Sequence, residues 1–291
     1  MQNMKKIYSY QDLKADLKLL SASYPEILKV FRLARTADGR WIYGIRIGNS
    51  CARNRFVIQA SMHAREWFNT ELMMRIVKRT CMQWEKNISY QGIAYRKLLE
   101  GVCFFILPMV NPDGVAISQK GPKAIRSDVL RNMVRESGGM YWYWKANARG
   151  VDLNRNYSTG FAADTRREKG SKEYAGKRPF SERETRALVK LIHTVKPMAV
   201  INYHSAGHLL YYKEDNWLVR LVKRLTGYKL CQETGEPNGN LGDWLSENGI
   251  LWCTIETCVG KAPVGRWQLS MEWKKHRNLL AEIALIIALP E

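Results

Sequence analysis

Leu13, Leu17 and Leu20 recur at helical spacing behind Ser9 and Asp12, which stand as a capping pair, and Tyr24-Pro25 stops the helix this pattern predicts. Strand-like runs follow at 30–34, 41–47 and 55–60. The last is almost continuously apolar, as in a strand buried on both faces. The pattern then predicts helices over about 66–86 and 93–99, a strand over 102–107 and a tight turn at Asn111-Pro112-Asp113-Gly114. From there to Ser181 the chain is rich in Arg, Lys, Gly and aromatic residues and too weakly periodic to assign. Segments of that kind carry function more often than core.

Periodicity resumes with a helix over 182–195, a strand over 198–203, helices over 217–225 and 241–247, a strand over 251–256 and a final helix over about 267–288. Strands alternating with helices predict an α/β sandwich around a mostly parallel or mixed sheet. Ligands of such sheets sit beyond the carboxyl ends of the strands.

Composition changes this picture little. The 291 residues, 46% of them hydrophobic, contain no linker, low-complexity block or repeat, so one domain over residues 8–289 is expected. Lys and Arg number 46 against 27 Asp and Glu, a net charge of +19, which predicts attraction to anionic surfaces. No zinc-finger spacing, RNP-type segment or isolated basic helix accompanies the charge, so nucleic acid is not the expected partner. An anionic cell-wall polymer or an acidic peptide would use the same charge. The opening MQNMKKIYSYQDLKADL lacks the zones of a secretory signal, and the apolar run 279–289 is interrupted by Glu282 and too short to span a bilayer. A cytoplasmic place without a transmembrane segment is therefore expected, while the charge leaves the cell wall or exterior open. The six cysteines show no C-x-x-C pairing, which suggests buried thiols, with a Cys253–Cys258 bridge left open.

The chemistry-bearing residues stand at the ends of apolar strands. His63 and Glu66 follow the run 57–60, His204 closes 199–203, and Glu256 closes 252–255. Singly these are weak signals, because a lone H-x-x-E usually marks a solvated turn and a strand-end histidine is usually a satisfied one. Together, two imidazoles and one carboxylate with an open position make a known catalytic zinc set. Glu256 is the stronger anomaly, since a carboxylate after a buried strand must be paired, protonated or functional.

From about Tyr8 to Leu289 the chain resembles the zinc carboxypeptidase family, whose signatures occur here in order. They are His63-x-x-Glu66, Asn111-Pro112-Asp113-Gly114, Gly150-Val151-Asp152-Leu153-Asn154-Arg155-Asn156-Tyr157, Asn202-Tyr203-His204-Ser205, Gly242-Asp243-Trp244 and Thr254-Ile255-Glu256. The resemblance implies one zinc ion per chain on His63, Glu66 and His204. It implies that Glu256 is the general base, taking a proton from the attacking water and passing it to the leaving amine. Asn154 and Arg155 match the pair that grips a substrate carboxylate, the guanidinium being suited to two-pronged bonding, and Arg65 matches a subsite arginine. Taken without the family, Asp152, Asn154 and Arg155 also read as a polar turn held by its own hydrogen bonds. His208 reads as a loop histidine outside the metal set.

Three positions depart from the family pattern. Where the family carries an oxyanion-stabilising arginine nine positions before Asn154, this chain has Lys145, which keeps the charge and loses the planar fork; Arg149 is the alternative cation. Residues 232–241 contain no tyrosine, and Gly242 stands where digestive members carry the side chain that sets C-terminal preference. The segments around 144–157 and 203–207 resemble the bacterial branch that hydrolyses γ-D-glutamyl-diaminopimelate bonds, so a muropeptide is the expected substrate. An ordinary metallocarboxypeptidase releasing C-terminal residues, a zinc acylamino acid deacylase and a non-catalytic cell-wall-binding module stand as alternatives.

Overall fold

The computed structural model describes residues 7–162, 169–170 and 173–288. In chain order the main elements are α1 (Tyr10–Ser23), β1 (Leu28–Arg35), β2 (Trp41–Gly48), β3 (Asn54–Ala60), α2 (Phe68–Glu85), β4 (Ser89–Tyr90), β5 (Ile93–Ala94), α3 (Tyr95–Glu100), β6 (Val102–Leu107), α4 (Pro112–Lys120) and α5 (Asp128–Glu136). They continue with α6 (Arg183–Val195), β7 (Ala199–Ser205), β8 (Leu209–Tyr212), α7 (Trp217–Thr226), β9 (Lys229–Gln232), α8 (Leu241–Glu247), β10 (Leu251–Thr257), α9 (Leu269–His276) and α10 (Leu279–Ala288). Leu289, the far end of the expected domain, lies outside the described residues.

Eight strands form one mixed sheet in the order β1-β2-β6-β3-β7-β10-β8-β9. The central strands β6, β3, β7 and β10 run parallel, while β1, β2 and β8 are joined to their inner neighbours antiparallel. All of β7 is buried, which its apolar run requires of a strand covered on both faces. One face packs Ile58, Ile201 and Ile255 against α1, α2, α3, α7 and α10. The other packs Val57, Val200 and Trp252 against α6, α8 and the segment around Leu153 and Tyr157. The expected α/β sandwich is therefore the architecture found.

Several local expectations are corrected. Asn111-Pro112-Asp113-Gly114 opens α4 instead of forming an isolated turn: the Asn111 side chain accepts from the Gly114 amide at 2.9 Å, and Pro112 takes the first helical position, where its missing N–H is harmless. Glu66 ends a short 3-10 turn ahead of α2, so the long helix starts at Phe68. Ile93–Ala94 is a strand that leads into α3. The final helix is two, broken at Arg277 and Asn278. The short strands β8 and β9 lie outside the expected elements because four-residue runs leave little periodic signal, and α5 because its apolar positions Val129, Leu130, Met133 and Val134 sit in a segment otherwise rich in Arg, Lys and Gly.

Candidate active site

β3 delivers the chain to Ser61 and then to His63, and the 3-10 turn Ala64–Glu66 brings the side chains of His63 and Glu66 to one side. That turn is pinned to the neighbouring loop by Ala64 N–H donating to Lys145 O at 2.9 Å. Asn111 ties the same loops together, its Nδ2 donating to Met62 O at 3.0 Å and to Ala146 O at 3.1 Å. Gly114 is required here, because a Cβ would lie 2.4 Å from Ala146 O. His204 comes from the end of β7, and the parallel register sets Glu256 of β10 directly beside it.

His63 Nδ1 lies 2.8 Å from Glu66 Oε1, His204 Nδ1 lies 3.0 Å from Glu66 Oε2, and the two Nδ1 atoms are 3.1 Å apart. All three residues are buried, and their donor atoms lie within 4.8 Å of one another. On the far side of the His63 ring, Nε2 is buried without an aligned hydrogen bond and lies 3.3 Å from Asp152 Oδ1. An imidazole whose Nε2–H faces a carboxylate presents its Nδ1 lone pair. His204 Nδ1 meets the other oxygen of the same carboxylate, so two ring nitrogens and a carboxylate converge on one point. The donor set therefore fits a divalent ion of the zinc type, with His63, Glu66 and His204 as the holders.

Charges around the cluster are organised by burial. Burial pushes the Glu66 carboxyl up, but facing His63 and His204 outweighs this and holds it well below the usual carboxylate range. Asp152 is likewise raised by burial and lowered further by His63 and Lys145, so it is ionised in the folded chain. Its Oδ2 accepts from Lys145 Nζ at 2.7 Å. Glu256 goes the other way: burial and the nearby Glu66 charge push it up to about 7, against the pull of His204, Lys145 and Arg65. A cation beside Glu66 opposes that rise.

Lys145 thus stands by the cluster, while Arg149 is directed away, its Nε 3.3 Å from Glu182. Arg65 bears on Glu256, and its Nε has no partner among the described residues. Asn154 uses its Oδ1 to accept from the Leu241 amide at 3.0 Å, fixing the start of α8. Arg155 donates from NH1 to Asn154 O at 2.7 Å and from NH2 to Glu173 Oε1 at 3.2 Å. Gly242 is a packing requirement, since a Cβ would lie 2.7 Å from the Trp252 ring. His208 pairs with Glu272 at 2.9 Å, apart from the metal cluster. All six cysteines are free in the structure.

Two participants escaped the sequence reading. Asp152 reads as a turn residue from its polar neighbours, yet it is buried between Val151 and Leu153, and its packing against His63 and Lys145 gives it a place in the site. Glu173 lies in the aperiodic segment, where nothing in the pattern singles it out.

The family model for zinc carboxypeptidases matches residues 13–235. The chain belongs to the zinc carboxypeptidase family. The match takes in His63, Glu66 and His204 and ends before Glu256, which enters the site through its rung beside His204. Among its relatives is a γ-D-glutamyl-L-diamino acid endopeptidase 1 of Lysinibacillus sphaericus, 26% identical over 83% of this chain and 63% of that one. A carboxypeptidase A6 of Mus musculus is 26% identical over 85% of this chain and 59% of its own length. The chain thus spans somewhat under two thirds of both. Among solved structures, thrombin activatable fibrinolysis inhibitor superposes with a TM-score of 0.75 at 17% identity, covering 98% of this chain and 78% of that one. The murein-tripeptide amidase of Escherichia coli O157 superposes with a TM-score of 0.57 at 19% identity, covering 90% and 93%. These superpositions establish the fold. No helix among the described residues is long and apolar enough to cross a membrane.

Proposed function

We propose that this zinc peptidase hydrolyses the γ-D-glutamyl-diamino acid bond of bacterial cell-wall peptides. The observation that carries the reading is the pairing of the site with the Arg155 fork. Arg155 ends the 3-10 turn that Asp152 caps, and Asp152 lies 3.3 Å from His63, so a guanidinium suited to two-pronged bonding with a carboxylate is tied to the cluster. The Lysinibacillus relative, matched over 83% of this chain, supports the choice of bond. Gly242, held to glycine by Trp252, offers no side chain to select a bulky apolar C-terminal residue. The net charge of +19 suits an acidic wall peptide or an anionic wall polymer.

A zinc ion on His63, Glu66 and His204 supplies Lewis acidity, lowering the pKa of water to roughly 7 and polarising a carbonyl. Glu256, on the rung beside His204, takes the proton of the attacking water and delivers it to the leaving amine. Lys145 and Arg65, whose charges both bear on Glu256, would stabilise the negative charge that the carbonyl oxygen gains. Asp152 fixes the His63 ring and Lys145 at once. Asn154 and Arg155 orient the leaving residue by its carboxylate.

The test is a comparison of kcat/KM for L-Ala-γ-D-Glu-diaminopimelate and for a blocked dipeptide ending in Phe, with products identified by mass. Clear cleavage of the first at the γ-glutamyl bond and poor cleavage of the second is expected. Faster cleavage of the Phe substrate with the muropeptide untouched would overturn the reading in favour of an ordinary carboxypeptidase.

A further inference from the structure

The strand registers align Gln59 of β3, Asn202 of β7, Thr254 of β10, Tyr211 of β8 and Cys231 of β9 in one row across the sheet. Residues paired across strands point to the same face, and alternation assigns this row to the face of Val57, Val200 and Trp252. His204 and Glu256 share that face, two residues further along β7 and β10. A polar row thus separates the catalytic row from the apolar core, where burial of polar groups is unfavourable without a use for them. Gln59 Nε2 donates to Asn202 Oδ1 at 3.4 Å, and Asn202 Nδ2 donates to Thr254 Oγ1 at 3.2 Å, which leaves the Thr254 hydroxyl hydrogen free to point outward. At the inner end Gln59 Oε1 is buried and has no partner among the described residues. At the outer end Thr254, Tyr211 and Cys231 are only half-buried, so the row opens to solvent.

Just past β9 the chain still follows β8, with Glu233 N–H donating to Tyr212 O at 2.8 Å, and the two-residue alternation returns Glu233 to the face of Cys231. Its half-buried carboxylate has no hydrogen-bond or ion-pair partner among the described residues. Burial and the neighbouring Asp243 push this carboxyl up while Lys213 and Arg155 pull it down, so the Arg155 fork lies within its field. Tyr211, paired with Thr254 across the ladder, is pushed up by burial first and then by Cys231, Glu256 and Glu233.

We propose that the polar row and Glu233 form the pocket for the side chain of the leaving residue, and that Glu233 selects a distal ammonium group there. The assignment rests on the reading that Arg155 holds that residue's carboxylate. A diamino acid brings a carboxylate and an ammonium, and the pocket offers a guanidinium for one and an unpaired carboxylate for the other. A carboxylate left without its ammonium favours the charged substrate over a neutral one of the same shape.

The experiment measures kcat/KM of the zinc-loaded enzyme on L-Ala-γ-D-Glu-L-Lys and L-Ala-γ-D-Glu-L-norleucine, and on blocked α-linked dipeptides ending in Lys or norleucine. Wild type, Glu233→Gln and the exposed charge control Glu236→Gln are compared, with zinc content and thermal midpoint checked for each. A preference for Lys over norleucine of about tenfold or more is expected in wild type and in Glu236→Gln. In Glu233→Gln it should collapse through a fall in kcat/KM on the Lys substrates. A preference that survives Glu233→Gln, or is lacking in wild type, overturns the proposal while γ-linked cleavage still supports the bond assignment. Uncut γ-linked substrates beside a Glu233-dependent Lys preference on α-linked ones overturn the bond assignment and leave the pocket standing.

Discussion

His204 and Glu256 are direct partners on one rung of the parallel ladder between β7 and β10. A backbone rung fixes their separation without help from loops, so replacing the Glu256 carboxylate by an amide should disturb nothing but the proton chemistry. Glu256→Gln is expected to keep its zinc and its thermal midpoint and to lose about 10² to 10⁴ in kcat. Turnover within a few-fold of wild type would make Glu256 a structural carboxylate.

The metal cluster makes two graded predictions. His204→Ala removes one of three holders and should abolish stoichiometric zinc in elemental analysis. Asp152→Asn leaves the holders in place but removes the charge behind His63 and Lys145, and should weaken zinc about 10- to 100-fold in chelator competition. Unchanged affinity in Asp152→Asn would detach Asp152 from the metal.

Glu173 places a carboxylate on the Arg155 fork, at 3.2 Å, where the proposed substrate carboxylate would lie. Binding then requires one carboxylate to displace the other. Glu173→Gln is expected to lower KM a few-fold with kcat unchanged, and Arg155→Ala to reduce kcat/KM by at least about tenfold. Equal KM values in wild type and Glu173→Gln would show that the two carboxylates do not compete.

Glu184 predicts a pH dependence of stability remote from the metal. Its Oε1 has no partner among the described residues, its Oε2 accepts from Asn147 only at 3.5 Å, and burial followed by the charges of Asp113 and Glu182 pushes the carboxyl up to about 8. The folded chain therefore holds a proton that the unfolded chain releases near pH 4.5, so stability present below that value declines as pH rises toward about 8. Glu184→Gln, neutral throughout, should lose this decline and exceed wild type at pH 8 by on the order of a few kcal/mol. Urea midpoints at pH 5 and pH 8 measure it, and parallel profiles for the two proteins would refute it.

What the sequence disclosed follows from how each feature is encoded. β3, β7 and β10 were legible because a strand covered on both faces is mostly apolar, and His204 and Glu256 stand at the ends of two such runs. Asp152 did not stand out, because its neighbours fit a polar turn equally well, and only tertiary packing buries it against His63. The start of α4 was misread for a similar reason: Asn-Pro-Asp-Gly suits a turn and a helix cap alike, and the deciding bonds run from Asn111 to Met62 and Ala146, far off in the chain. The polar row from Gln59 to Cys231 was invisible, since each member sits in a different strand and only register makes them neighbours.

His63 and His204 are 141 positions apart in the chain and 3.1 Å apart at their Nδ1 atoms. Contacts of that sequence separation form late, after the intervening loops have been closed against their entropy. A partly folded chain then has no hydrolytic centre, and a nick between α2 and β7 leaves the ligands on separate pieces. On the proposed reading, hydrolytic competence therefore arises only once β3 and β7 lie side by side, so activity reports the assembled sheet.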